Sequence, residues 1–467
     1  MSHNQENTLL QTISPIDGSV YVERALATEQ EIEQSIALSR SAQKQWQATS
    51  FAERASICEL AVQYFESNRA QIAEEISWQM GRPLAYGGSE IGGLAERARH
   101  MISIAEQALA DERPQERPGF ERFIRREALG VVLTVAPWNY PLLTTVNSVF
   151  PALMAGNSVL LKPSAQTPLC GERFVSAFRQ AGLPEGVLQC LYLSHDSTAK
   201  IIGGSVVDFA CFTGSVAAGQ KIEKSAAGSF LGLSLELGGK DPAYVRSDAK
   251  LDYCVNELVD GAFFNSGQSC CGIERIYVEK SLYPQFVEAY VEQVKNYTLA
   301  NPLLAETTLG PMVRTSAADW VRQQISEAVS QGAQACIDPK LFVNSRENSP
   351  YLAPQVLLDV NHSMSVMREE SFGPVVGIMS VENDEEALQL MNDSDLGLTA
   401  SLWSQDQTAV EALGDRLQTG TVFMNRCDYL DPALCWTGVK NTGRGAALSK
   451  LGYLQLSRAK SFHLKTV

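Results

Sequence analysis

The chain has 467 residues, 45% of them apolar and 19% charged, with 34 glycines and 19 prolines. These proportions exclude collagen, low-complexity and wholly disordered chains, and a chain of this length buries a large core without disulfide or metal staples. One domain per ~150 residues gives about three domains or two large ones. The formal charge of −15 argues against nucleic acid or an acidic membrane face as partner, because phosphate binding needs concentrated Lys and Arg.

The N-terminus, MSHNQENTLL, has neither a basic n-region nor a long apolar run, so export is not indicated. The first hundred residues read as helices. Glu29 to Trp46 carries Ile32, Ile36 and Ala37, and Ile57, Leu60, Ala61, Tyr64 and Phe65 fall on one helical face. After Gly130 the texture changes. GVVLTVAP (130–137), SVLLKPS (158–164), VLQCLYL (187–193) and VVDFACFTG (206–214) read as strands, with helical segments such as GERFVSAFRQAG between them. This alternation predicts crossover units and a parallel sheet. Residues 128–161 carry no charge, yet Pro137, Pro141, Pro151, Asn139, Asn147 and Asn157 would leave unmet polar groups in lipid, so strand, loop, helix and strand are expected rather than a membrane span. The pattern restarts after Glu236 with PAYVRS (242–247), a helix through Phe264 and RIYVEK (275–280), which predicts a second α/β domain. The tail SFHLKTV (461–467) reads as a strand that needs a partner.

Six motifs carry chemical potential, each with a plain structural alternative. In PWNYP (137–141), Asn139 either satisfies loop backbone or offers its amide to an oxyanion. In LKPS (161–164), Lys162 ends a strand and either faces solvent or reaches a ligand at the sheet mouth. FTGSVAAG (212–219) is either a strand-to-helix turn or a phosphate site, with Gly214 at the turn, Ser215 as cap and Gly219 for close packing. In ELGGK (236–240), Glu236 is either paired with Lys240 or a backbone cap, or is a poorly solvated general base. FFNSGQSCC (263–271) offers two adjacent thiols, buried packing groups or one reactive thiolate. EESFGP (369–374) joins carboxylates to an aromatic, either as an element terminus or as a ribose and ring contact. The ten cysteines, Cys58, Cys170, Cys190, Cys211, Cys254, Cys270, Cys271, Cys336, Cys427 and Cys435, include no CxxC pair, so no metal is indicated and reduced, cytoplasmic thiols are expected. A Cys–His dyad is not obvious among His3, His100, His195, His362 and His463.

In order and spacing these motifs resemble the NAD(P)-dependent, non-acylating aldehyde dehydrogenase superfamily, from SPIDGSV (14–20) past GLPEGVL (182–188) to TGRG (442–445). The step from Glu236 to Cys270 matches the family's base-to-nucleophile spacing. The resemblance implies an α/β fold with a Rossmann-type cofactor domain (1–109 and 128–237), an α/β catalytic domain (238–445) and a small β oligomerisation arm (110–127 and 446–467) that pairs sheets between subunits of a homodimer or homotetramer. It implies Cys270, not Cys271, as nucleophile, Asn139 and the Cys270 N–H as oxyanion hole, and Glu236 as general base. It implies that Lys162, Ser164, Trp138, Gly214, Ser215, Glu370 and Phe372 hold the cofactor. The implied reaction takes an aldehyde to the acid through a thiohemiacetal and a thioester on Cys270, hydrolysed by water that Glu236 activates.

Several positions depart from better-known members. Ala165 stands where NAD-preferring members often carry a Glu that repels a 2′-phosphate, so NADP is expected to be accepted as well as NAD, with help from Ser164. Ser148 replaces a frequent Lys, so a proton relay from Glu236 is expected to run differently. CWTGVKNTG (435–443) replaces a commoner sequence, which predicts Trp436 in the substrate tunnel with Tyr140, Asn147, Phe264, Ser269, Tyr429 and Leu430. Such a wall suits a medium aliphatic or aromatic aldehyde, and Arg426 either binds a substrate carboxylate or is structural. Two alternatives are a CoA-acylating semialdehyde dehydrogenase, which commonly lacks the base at Glu236, and a catalytically silent structural member of the fold.

Overall fold

A computed structural model describes residues 9–466. The N-terminal residues 1–8, with most of the segment read for an export signal, and the tail residue Val467 lie outside the described residues. The uncharged stretch folds as strand Val131–Val135, helix Pro141–Met154 and strand Ser158–Lys162. Among the described residues no helix is long and apolar enough to cross a membrane. Both strands have helices on each face, which is why they read as unbroken apolar runs rather than alternating ones.

These strands lie in a six-stranded sheet, in the spatial order Gly443–Arg444, Gly232–Glu236, Phe209–Thr213, Val131–Val135, Ser158–Lys162 and Leu188–Cys190. All its pairings are parallel except that of the short Gly443–Arg444 strand. From Val131–Val135 the chain builds first to one side and then to the other, so the crevice beyond that strand and Phe209–Thr213 is a topological switch point, where such sheets bind ligands. Two expected strands are shorter than read. Only Leu188–Cys190 of VLQCLYL is paired, because Leu191 and Leu193 leave the sheet to pack into the core. Only Phe209–Thr213 of VVDFACFTG is paired.

A second, seven-stranded sheet runs Gln334–Ala335, Gln355–Leu358, Val375–Val381, Ile273–Glu279, Asp241–Val245, Thr399–Trp403 and Thr421–Met424, parallel but for its first pair. The helices Leu251–Phe263 and Tyr283–Val294 cover it with Phe263, Phe286 and Tyr290.

Two readings need correction. Leu60 is 47% exposed; the buried stripe of helix Phe51–Ser67 is Cys58, Ala61, Val62 and Phe65, and a residue two positions from Cys58 lies about 200° around the helix. The terminal strand Ser457–Lys465 finds its partner inside the same chain, Phe120–Ala128, antiparallel in unbroken register from Ser457↔Ala128 to Lys465↔Phe120. The segments before that strand pack on the rest of the chain. Gly443–Arg444 pairs with Glu236 and Leu235, and helix Ser449–Gln455 docks through Tyr453, whose hydroxyl donates to the Met101 carbonyl at 2.6 Å.

Candidate active site

Three chain segments meet at the carboxyl end of the first sheet. The loop after Val131–Val135 carries Trp138, Asn139 and Tyr140 into helix Pro141–Met154. A buried ion pair, Arg82 with Glu90, holds this loop: Arg82 also donates to the Asn139 carbonyl, and Glu90 accepts the Leu142 and Leu143 N–H groups at 2.7 and 3.1 Å. The guanidinium of Arg82 lies 4.5 Å from the Tyr140 ring centroid.

The second segment bears the thiols. Asn265, Ser266 and Gly267 all have left-handed φ values of 53°, 56° and 69°. At Gly267 a Cβ would collide with the Gly373 carbonyl, so only glycine allows this turn to pack on the 371–374 segment. Gln268, fully buried, accepts the Val313 N–H at 2.8 Å and braces the turn. The next residues then face the cavity. Cys270 is partly exposed on its wall. Cys271 is buried, and its hydrogen bond with Cys270, together with burial, holds its thiol well above the usual range. Asn139 Nδ2 donates to the Gln268 carbonyl at 3.2 Å, which orients the amide and leaves its second hydrogen available. Among the described residues the Cys270 N–H has no hydrogen-bond partner.

The third segment ends strand Gly232–Glu236. Burial pushes the Glu236 carboxyl up to about 7, opposed by a hydrogen bond from Thr213 Oγ1 at 3.1 Å and by the charge of Arg97. Lys240 pairs with Glu274, not with Glu236. Thr134, Ser148, Thr213 and Ser234 line a small space behind Glu236, where Ser148 Oγ is 3.2 Å from Thr134 Oγ1.

These segments enclose a cavity of about 360 Å³. Its wall includes Cys270 and Glu236, and brings Tyr140, Asn147, Phe264, Ser269, Tyr429, Leu430 and Trp436 together. Arg426 is not on that wall; it is exposed and stacks its guanidinium 3.6 Å from the Tyr429 ring centroid.

The remaining singled-out residues lie at the switch point and beside it. Lys162 ends its strand half-buried, and among the described residues its ammonium has no partner. Ser164 Oγ accepts the Gln166 N–H at 3.2 Å, and Ala165 is exposed. Ser215 caps helix Val216–Ala226 by accepting the Ala218 N–H. Gly214 has ordinary φ; it is needed for space, since a Cβ would press on the Phe212 ring. Gly219 likewise leaves room for Leu237. Glu370 accepts the Gly239 N–H at 3.1 Å, and burial pushes its carboxyl up to about 8. Phe372, with φ of 50°, meets Trp138 edge-to-face at 5.6 Å.

Sequence reading missed the charged residues that hold these parts. Glu274 pairs with Lys240 and accepts the N–H groups of Ser371 and Phe372 at 2.8 and 2.9 Å, which carries the 370–372 segment on a buried ion pair. Glu90 and Arg97 lie on the buried stripe of helix Leu84–Ala108 with Ile91, Leu94, Ala98 and Met101. A charge on an apolar stripe was the one readable sign of them.

The aldehyde dehydrogenase family profile matches residues 1–462. The chain is 32% identical over 454 residues to succinate-semialdehyde dehydrogenase (NADP+) 1 of Mycobacterium tuberculosis, covering 96% of this chain and 98% of that one. Among solved structures, the NADP-dependent glyceraldehyde-3-phosphate dehydrogenase of Bacillus halodurans, complexed with NADP, superposes with a TM-score of 0.93 at 30% identity over 99% of this chain and 97% of that one. A betaine aldehyde dehydrogenase variant of Staphylococcus aureus, in complex with NAD+, superposes with a TM-score of 0.92 at 28% identity, covering 98% and 94%.

Proposed function

The chain belongs to the aldehyde dehydrogenase family, and from that premise we propose that it oxidises an aldehyde to the carboxylic acid with NAD or NADP, using Cys270 as nucleophile. The observation that carries this reading is the grouping on one cavity wall of a partly exposed thiol and a partly buried carboxyl near neutrality, with an amide held by hydrogen bond to the carbonyl two residues before the thiol.

The residues at the switch point fit a dinucleotide. Lys162, whose ammonium has no partner among the described residues, and the capped N-terminus of helix Val216–Ala226 suit ribose and phosphate. Glu370 and Phe372 suit the second ribose and the nicotinamide, with Trp138 beside them and Gly214 keeping the approach open. Bound there, the nicotinamide supplies the two-electron acceptor. Ala165 and Ser164 offer no negative charge against a 2′-phosphate, which supports use of NADP as well as NAD.

The chain's own residues do the rest. Cys270 adds to the aldehyde carbon and holds it as a thiohemiacetal. The oxyanion lies between the Cys270 N–H and the free Asn139 N–H, donors that need no reorganisation as charge develops. Once oxidised, the carbon remains on Cys270 as a thioester. Glu236, with a pKa of about 7, takes a proton from water at neutral pH, and the hydroxide releases the acid. The mainly apolar wall around Trp436, Phe264 and Leu430 suits a medium aliphatic or aromatic body.

We read the six-stranded sheet with its helices as the cofactor domain and the seven-stranded sheet as the catalytic domain. The ribbon of Phe120–Ala128 and Ser457–Lys465, whose outer Ser457–Lys465 edge has no strand partner among the described residues while Glu112 bridges Ile124 on the other edge, is the arm through which a homodimer or homotetramer forms. A cytoplasmic location agrees with ten free cysteines.

The test is an aldehyde panel run with NAD and NADP separately, with and without CoA. NAD(P)H formation independent of CoA is expected. Turnover that requires CoA would replace hydrolysis by acyl transfer, and no reduction with any aldehyde while Cys270 is free to alkylation would favour a silent member of the fold.

A further inference from the structure

Arg97 is 7% exposed and faces the cavity that holds Cys270 and Glu236. Its Nη1 donates to the Leu143 carbonyl at 2.6 Å and to Asn147 Oδ1 at 3.4 Å. Among the described residues, its Nε and Nη2 have no partner and no carboxylate lies within ion-pair distance. Asn147, 3% exposed on the same wall, has a buried Nδ2 that is also unpartnered. A buried guanidinium without a counter-charge is unfavourable, and buried polar groups are as a rule satisfied.

The carboxyl groups nearby do not supply the missing charge. Glu90 is taken by Arg82 and two backbone N–H groups. Glu236 accepts from Thr213 and, although it feels the charge of Arg97, makes no ion pair with it among the described residues. Burial pushes Asp428, also on the wall, up to about 8, so it is mostly neutral at pH 7. Glu96 accepts the Tyr429 hydroxyl at 2.6 Å toward the exposed end. Arg426, the arginine that sequence reading considered for a substrate carboxylate, is exposed and stacked on Tyr429.

We propose that Arg97, with Asn147, anchors an anionic group of the substrate, so that the preferred aldehydes carry a carboxylate at the end remote from the reacting carbon. The carboxylate accepts from the free edge of the guanidinium and from Asn147 Nδ2, while the intervening chain lies against the apolar wall. This rests on the reading of Cys270 as nucleophile, since it assumes that the aldehyde end reaches that wall. Arg97 is thus a specificity residue and takes no part in bond making.

The test compares ω-carboxy aldehydes of three to six carbons with n-alkanals of the same length, in wild type, Arg97→Gln, Arg97→Lys and Asn147→Leu. Wild type is expected to favour the carboxy series in kcat/KM. In Arg97→Gln that preference should fall at least ~30-fold, mostly through KM, with partial recovery in Arg97→Lys and a smaller fall in Asn147→Leu. A wild type that prefers alkanals, or an Arg97→Gln that loses both series equally, overturns the anchor and leaves the oxidation itself standing. Calorimetry with succinate and glutarate reads the anchor without turnover. Binding by wild type that disappears in Arg97→Gln supports it even where no aldehyde is oxidised, and no binding by wild type overturns it. Should Arg97→Gln not fold, Asn147→Leu decides on the same two readouts.

Discussion

Thr213 donates its hydroxyl to Glu236 at 3.1 Å from the paired position on the neighbouring parallel strand. The bond favours the carboxylate and opposes the burial that pushes Glu236 up to about 7. Hydrolysis of the acyl-enzyme, which needs the carboxylate, should therefore rise with pH through about 7 in the wild type. In Thr213→Val the midpoint should move to higher pH, with a slower release at pH 7. Single-turnover deacylation measured across pH 5.5–9, on the order of that titration, checks the direction; an unchanged midpoint would separate Glu236 from the rate-limiting proton transfer.

The same burial has a thermodynamic counterpart. Glu236 is raised from 4.5 to about 7 on folding, so the native state holds an extra proton between those values. Stability from this group is full below pH ~4.5 and is lost as pH rises through about 7, by at most ~3 kcal/mol. Glu236→Gln should thus gain stability over wild type at pH 8 and show little gain at pH 4.5, as read by urea denaturation. The same variant should form the acyl-enzyme in a burst and release it ~10²–10⁴-fold more slowly.

Cys270 and Cys271 differ in exposure, although they are adjacent. Limited alkylation of the native protein should label Cys270 and spare Cys271, whose thiol is buried and held protonated. Cys270→Ser should lower kcat by ~10³ or more with folding intact. Cys271→Ala should keep most activity. Labelling confined to Cys271, mapped by peptide mass, would reverse the choice of nucleophile.

Lys240 and Glu274 are both excluded from solvent, and the carboxylate also carries the N–H groups of Ser371 and Phe372. Glu274→Leu leaves the ammonium unpaired in the interior and should cost about 3–5 kcal/mol. Lys240→Met combined with Glu274→Leu should recover part of that stability but not the position of the 370–372 segment. Denaturant melts report the first effect, and a raised KM for NAD and NADP reports the second.

Ala165 is exposed next to Ser164 and Lys162. Ala165→Glu should lower kcat/KM for NADP by about tenfold or more through repulsion of the 2′-phosphate, with NAD much less affected, a difference of ~1.4 kcal/mol. Equal losses with both cofactors in parallel assays would remove this residue from cofactor choice.

The parts of this architecture that are legible in the sequence are those written in local runs. Strands buried on both faces give uncharged stretches such as 131–135 and 158–162, and a strand end next to a helix start exposes Lys162 and Ser215 as candidates. The parts that are not legible depend on distant partners. Glu274 meets Lys240 across 34 positions and the Ser371 N–H across 97. Arg97 is defined by what it lacks, and its nearest acceptor, the Leu143 carbonyl, is 46 positions away on another helix. Leu60 was misplaced for the converse reason. Spacing identifies an apolar face, but whether each member is covered depends on which neighbouring helices reach it.

Strand Gly232–Glu236 is closed on its outer side by Gly443–Arg444, and Glu236 itself is the register partner of Gly443. The segment bearing Glu236 therefore gains this neighbour only once Gly443 has been made. During translation this strand is an unprotected edge for some two hundred residues of growth, a condition in which sheets recruit wrong partners. A product that stops short of Gly443 would retain Cys270 but not the finished setting of Glu236.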